Sequence, residues 1–344
     1  MSFSMKNNLI TKLLGIVLLS LLLSTNAFAL ETPMKKLSKY FKNGELIKIS
    51  SYTSAKWPNG YMSIKDGSYK NNPIEVDAFI AFPKKGEGPF PVVIFTHASG
   101  GAASFTDEWF KFNRLAAKSL LKKGIGVMFL DNFSARGQRH TYVDQSTISH
   151  WSTVMDAFKA LEYLSKDPKV NIKKVGITGW SRGGAISLMA SEKRLRDELI
   201  SEDLYFAAAQ PRSPPCWSIG MFLNPQPIKE TKTWMVLGGA DDYTLAKHCV
   251  ELGEKYKANG ADIEITVKKG WGHGFTANYE AKYEDDAQIF NDCAGAFTND
   301  EGNIIYTGND NYPACVTRGA HIGGNKGVTF KKSFLKFFKK NLLN

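Results

Sequence analysis

The chain is poor in the residues that hold metals or cross-link small domains. Of 344 residues, six are histidine and four are cysteine, and no C-x-x-C or H-x-x-x-H spacing occurs among them. Metal sites are usually written in such short, regular spacings, so neither a metal centre nor any other cofactor is expected. Internal repeats are missing, which argues against a solenoid or propeller. There is no low-complexity linker to divide the chain. The first 29 residues contain no acid; Lys6 and Lys12 flank the start of the apolar run LLGIVLLSLLL, and AFA follows at 27–29. A basic start, an apolar centre and an A-x-A site predict a secretory signal peptide over 1–29. The apolar run is short for a membrane span of about 20 residues, and no cysteine lies nearby to carry a lipid. The expected mature chain is therefore residues 30–344, secreted or periplasmic, with no stable membrane anchor after cleavage.

The formal net charge is +11. A strongly basic chain raises the question of nucleic acid, but the lysines are dispersed rather than clustered, so nucleic acid is not an expected partner. The basic run KKSFLKFFKK near the C-terminus alternates charge and apolar residues at helical spacing and reads as an amphipathic closing helix. Export places Cys216, Cys249, Cys293 and Cys315 in an oxidising compartment. Four cysteines allow three pairings. Cys216 and Cys249 each follow a predicted strand, in loops at one edge of a sheet, and Cys293 and Cys315 bracket a polar stretch. The favoured pairs are 216–249 and 293–315.

Two periodicities alternate along the chain. ELIKIS and IEVDAFIAFP switch between apolar and polar residues, as partly exposed antiparallel strands do. PVVIFTH, GVMFLD, KKVGITGW, LYFAAAQ, TWMVLGG and IEITVKK are short, largely apolar runs, as expected of strands covered on both faces. Between them DEWFKFNRLAAKSLLKKG, STISHWSTVMDAFKALEYLSKD, RGGAISLMASEKRLRDELI and LAKHCVELGEKYKANG repeat apolar residues at helical spacing. Alternating strands and helices predict an α/β domain with a mostly parallel central sheet and helices on both faces. Residues 279–328 are polar and rich in Gly, Asn and Asp; a structureless loop of that length is unusual, so an ordered, disulfide-tied insertion is expected.

The stretch ITGWSRGGAI places Gly179, Gly183 and Gly184 around Ser181, directly between a predicted strand and a predicted helix. Three glycines there fit a sharp strand-to-helix turn that lifts the serine clear of the sheet, the G-x-S-x-G nucleophile elbow. A serine hydroxyl needs a base, and the base needs an acid to orient it. In an open parallel sheet both belong in loops after strand ends. Asp241 ends the strand-like WMVLGGAD, with Asp242 as its rival; one is expected to point inward, the other outward or to cap the next helix with Thr244. His273, in KKGWGHGFTA after the last strand, is the candidate base. His97, His140, His150, His248 and His321 are placed less well. The order Ser, Asp, His is that of α/β-hydrolases. An oxyanion site needs backbone donors: the N–H of Arg182 is one candidate, and that of Ser99 or Ala98, in the loop THASGGAAS, the other. Trp180, Phe133, Tyr142, Trp217 and Tyr243 fall near strand ends and are candidates to line a substrate pocket. Asp131 and Arg136 could hold a substrate carboxylate, but the favoured reading is a structural pair.

Several stretches together resemble the dienelactone hydrolase-like branch of the α/β-hydrolases: VMFLDNFSARG at 127–137, DAFKALEYLSKDPKVN, GWSRGG, PPCW at 214–217, GGADDYTLAKHC at 238–249 and GWGHGF at 270–275. The resemblance spans most of the mature chain. It implies Ser181, Asp241 and His273 as a triad, with serine where dienelactone hydrolases proper carry cysteine, and it agrees with a Cys216–Cys249 pair. The function expected is hydrolysis of a small-molecule carboxylic ester through an acyl-enzyme. Two alternatives are a peptidase of the prolyl oligopeptidase type, for which the chain has no room for an upstream propeller, and an inactive hydrolase fold used for binding.

Overall fold

The computed structural model describes residues 30–344, so the expected signal peptide lies outside the described residues. Eight strands form one sheet in the order β1-β2-β4-β3-β5-β6-β7-β8. Strands β1 (Gly44–Tyr52) and β2 (Pro73–Ala81) pair antiparallel, and β2 pairs antiparallel with β4 (Gly126–Asp131). From there the sheet is parallel through β3 (Phe90–Thr96), β5 (Val170–Trp180), β6 (Ala208–Arg212), β7 (Lys232–Gly238) and β8 (Asp262–Lys268). Parallel neighbours require crossovers, and these place helices over both faces. The architecture is the α/β-hydrolase fold.

The helices are α1 (Gly60–Lys65), α2 (Phe112–Leu121), α3 (His150–Leu164), α4 (Arg182–Met189), α5 (Lys193–Leu199), α6 (Ala246–Ala258) and α7 (Gly327–Leu342). Two apolar clusters fill the space on either side of the sheet. One joins α3, α4 and α6 to Ile94, Ile177 and Met235; the other joins α2 and α7 to Val93, Phe95 and Val236. The basic C-terminal run forms α7 as its pattern predicts. Phe330, Phe334, Phe338 and Leu342 recur every four residues, all buried, and each such side chain contributes about 1.5–3 kcal/mol by leaving water. Among the described residues no helix is long and apolar enough to cross a membrane.

Three local expectations are corrected. RGGAISLMASEKRLRDELI is two helices, not one. The chain breaks at Glu192, whose backbone is extended and whose buried carboxylate accepts the Gln226 N–H at 3.0 Å and pairs with Arg194 at 2.9 Å. Burial pushes the Glu192 carboxyl up to about 7 against those partners. Arg136 pairs with Asp156 of α3, not with Asp131, through contacts of 2.7 and 2.9 Å. Asp131 is already engaged by the N–H groups of Phe133 and Ser134 and the hydroxyl of Thr32. Cys249 sits in α6, as the helical spacing of LAKHCVELGEKYKANG predicts, and not in the loop on which the expected pairing rests.

The cysteines pair as 216–249 and 293–315, with Cα atoms 5.1 and 4.9 Å apart. The 279–328 stretch holds two small antiparallel sheets, β9 (Lys282–Ile289) with β12 (Thr317–Ile322), and β10 (Gly295–Thr298) with β11 (Ile304–Thr307). The second disulfide ties them together.

Candidate active site

Ser181 sits at the turn from β5 into α4 with φ 57° and ψ −121°, a backbone state that non-glycine residues rarely hold without support. Packing of the surrounding backbone supplies that support. A Cβ on Gly179 would lie 2.3 Å from the Gly183 backbone; one on Gly183, 2.5 Å from the Thr96 carbonyl oxygen; one on Gly184, 2.5 Å from that of Arg212. The helix start is pressed onto β3 and β6 too closely for any side chain. The Ser181 N–H donates to the Arg212 carbonyl at 2.9 Å and fixes the turn to the neighbouring strand.

The loops after β7 and β8 bring Asp241 and His273 together. His273 Nδ1 lies 2.9 Å from Asp241 Oδ2, and both side chains are buried. Asp241 is itself held: Oδ1 accepts the N–H groups of Tyr243 (3.0 Å) and Thr244 (2.8 Å), and Oδ2 accepts the Thr244 hydroxyl at 3.0 Å. The rings of Trp180 and Tyr243 flank the imidazole, with centroids 5.2 and 4.7 Å away. Burial, helped by the nearby Asp241 charge, pushes the Tyr243 hydroxyl up to about 12. Asp242 faces the other way. Its carboxylate meets His321 of β12, 2.7 Å from Nδ1, and accepts the His321 N–H at 3.0 Å. Asp242 therefore joins the insertion to the sheet and does not reach His273.

Among the described residues the backbone N–H groups of Arg182, Ala98 and Ser99 donate to no protein acceptor, leaving them available at the mouth of the turn. The Arg182 guanidinium does something the sequence did not suggest. It is buried and donates to the carbonyls of Ile148 and Gln145 and to the side chains of Gln145 and Thr141, clamping the 141–148 loop onto α4. Burial, with Arg136 nearby, lowers its pKa to about 9. Gln145 is the hub of that loop. Its Oε1 accepts from Ser99 Oγ at 3.0 Å, its Nε2 donates to the Tyr243 hydroxyl at 3.2 Å, and its N–H donates to Gln288 of the insertion at 2.7 Å. A lone Gln in a polar loop carries no sequence signal for such a role.

Cavities adjoin Ser181 on two sides. A space of about 350 Å³ is lined by Ser181, His273, Ala98, Ser99, Trp180, Tyr243 and a set of aromatic residues that includes Trp109, Phe110, Tyr142 and Tyr279. A smaller one of about 50 Å³ is lined by Ser181, Arg182, Ser99, Trp217, Tyr243 and Ile219 among others. A third, of about 100 Å³, lies beyond it near Trp57, Tyr306 and Tyr312. Insertion residues contribute to all three. Trp180, Tyr142, Trp217 and Tyr243 each line one or both of the cavities at Ser181. Phe133 does not: it is buried beneath the Gly101 turn, its ring 4.4 Å from that of His97 and 5.4 Å from the Arg182 guanidinium. A hydroxyl on a strained turn, an imidazole opening on the same cavity and a carboxylate behind the imidazole are the parts that nucleophilic acyl transfer requires.

Several solved structures are similar at low identity. A putative dienelactone hydrolase from Klebsiella pneumoniae is 17% identical over 68% of this chain and 90% of its own, with a TM-score of 0.46. A thermophilic esterase from the Planctomycetes species Thermogutta terrifontis is 17% identical over 59% of this chain and 80% of its own, with a TM-score of 0.45. The same esterase phosphoramylated by tabun aligns at 17% over 68% and 86%, with a TM-score of 0.48. The sequence supplies the firmer assignment: residues 76–298, well over half of the chain, match the Dienelactone hydrolase family, and the chain belongs to that family.

Proposed function

We propose that this hydrolase-family protein cleaves a small carboxylic ester with Ser181 as nucleophile, His273 as general base and Asp241 as the orienting acid. His273 takes the Ser181 proton as the oxygen attacks the ester carbonyl. The N–H of Arg182, at the start of α4, and that of Ala98 or Ser99 receive the developing oxyanion, where fixed donors and the helix dipole act without reorganisation. His273 then gives its proton to the leaving alkoxide. An acyl-Ser181 intermediate remains, and water activated by the same imidazole hydrolyses it. The observation that carries this reading is the buried 2.9 Å contact between His273 and Asp241, with His273 and Ser181 on one cavity. Export is part of the proposal; the signal-like N-terminus and two disulfides support it.

Active-site labelling tests the reading. The protein and its Ser181→Ala variant are treated with a fluorophosphonate probe, and the adduct is mapped by mass spectrometry. Labelling on Ser181 that vanishes in the variant is expected. A folded, oxidised protein that takes no label would overturn it.

A further inference from the structure

The two cavities at Ser181 are unlike each other, and only one of them contains His273. That imidazole must deliver a proton to the leaving oxygen, so the leaving alcohol belongs on the His273 side and the acyl group on the other. The acyl side is then the cavity of about 50 Å³ beside Arg182, and the alcohol side is the aromatic cavity of about 350 Å³. The first has room for a few waters at most, and the second is about seven times larger.

Gln145, His150, Ser218, Ile219 and Phe290 line both the small cavity and the third one behind it, so these side chains stand where the two adjoin. Ile219 is buried there. The large cavity offers ring faces. Phe110 stacks on Trp180 at 5.7 Å, Trp109 meets Tyr279 edge-on at 5.8 Å, and Lys282 and Glu284 sit at its rim. Trp109 is 56% exposed, and the Lys282 ammonium lies 5.7 Å from its ring centroid and 5.8 Å from that of Tyr279, so an incoming ring would displace that side chain or share the wall with it.

We propose that the site selects a short acyl group, from acetyl to butanoyl, carried on a bulky ring-bearing alcohol, with Ile219 setting acyl length and the Trp109–Tyr279 wall receiving the ring. The proposal rests on the ester-hydrolase reading above. An arylmethanol and a sugar both present a flat apolar ring face, and the test separates them.

Two ester series at constant partner decide it. With 4-methylumbelliferol fixed and the acyl chain lengthened from acetyl to decanoyl, kcat/KM should fall at least about tenfold beyond butanoyl, since one methylene misfit in an apolar pocket costs about 10–200-fold. Ile219→Ala should join the small cavity to the one behind it and shift the preferred chain towards hexanoyl and octanoyl. With acetate fixed, kcat/KM should rise about tenfold or more from ethyl to 2-naphthylmethyl acetate or to a peracetylated glucose, whichever ring the wall takes, and Trp109→Ala should reduce that gain. Octanoate turned over as well as acetate by the unmodified enzyme would overturn the proposal. So would a chain-length profile unchanged in a folded Ile219→Ala protein, or no gain with either ring. Ester hydrolysis that depends on Ser181 but shows these failures would leave the ester-hydrolase reading standing; no Ser181-dependent hydrolysis of any ester would remove both.

Discussion

Asp241 and Asp242 are neighbours, and each holds a histidine. The contact distances are 2.9 Å to His273 and 2.7 Å to His321, yet the side chains of the first pair are 0% and 1% exposed and those of the second 46% and 55%. The shorter contact is the exposed one. Distance therefore does not separate a candidate catalytic pair from a surface pair. Burial does, together with the company each carboxylate keeps. Asp241 accepts from two backbone N–H groups and a hydroxyl as well as from His273, so it is fixed where water cannot weaken its field. In that setting an aspartate holds the imidazole in one tautomer and favours its protonation as the serine is deprotonated. Asp242 and His321 face solvent, where water and salt screen the attraction, and their contact links β12 to the loop after β7.

The sharpest way to break this contrast is to neutralise each acid in turn. Asp241→Asn should lower kcat on an activated acetate ester by about 10⁴-fold, the size of the same change in other triads. Asp242→Asn should change it by less than about threefold, because its partner lies outside the reacting cavity. Equal losses in steady-state kinetics would mean that the Asp242–His321 link holds the site together rather than merely bordering it.

Burial divides the other histidines in the same way. Burial lowers the pKa of His97 and takes that of His150 well below 6.5, with the Arg182 charge reinforcing the second. Asp131 opposes the effect at His97. In the unfolded chain both take up a proton near pH 6.5, whereas the fold resists it. The stability they contribute is complete above that pH and is lost as pH falls below it, by up to about 1.4 kcal/mol per pH unit for each histidine. Glu192, raised to about 7 by burial, acts in the opposite sense between about pH 7 and 4.5. The informative quantity is therefore a difference. In urea unfolding between pH 7.5 and 5, His150→Gln should lose less stability on acidification than the unmodified protein. The same slope in both would mean that His150 titrates normally in the fold.

The contrast also marks what the sequence made legible. The elbow could be read because three glycines in six residues answer to one local cause, a helix start jammed against two strands. The loops bearing Asp241 and His273 could be read because strand ends are visible as apolar runs and the parallel sheet puts their loops on one edge. The α7 pattern was legible for the same local reason. What stayed hidden depends on partners distant in the chain. Nothing near Glu192 says that the Gln226 N–H will hold its carboxylate where the helix breaks, nor does anything near Arg136 point to Asp156. Gln145 and the Arg182 guanidinium act through a loop whose course no periodicity encodes. Phe133 sits beside a strand end like the pocket residues, but the Gly101 turn covers it. The sequence already favours Asp241 over Asp242; what it hides is the partner of Asp242, because β12 belongs to the insertion, whose sequence shows only polarity.

The smallest expected effect tests the exposed pair itself. A double-mutant cycle on Asp242→Asn and His321→Ala, read by urea unfolding, should give a coupling of about 0–1 kcal/mol. It should shrink further in high salt, as a solvent-facing attraction does when the screening length falls to about 3 Å at 1 M. The backbone contribution should survive both substitutions in part, because Asn in place of Asp242 still offers an oxygen to the His321 N–H, and the Gly323 N–H still donates to the His273 carbonyl at 2.8 Å. A coupling above about 2 kcal/mol that resists salt would show the pair behaving as a buried one. The insertion would then be clamped to the acid loop by charge, and the division drawn here between Asp241 and Asp242 would be one of degree.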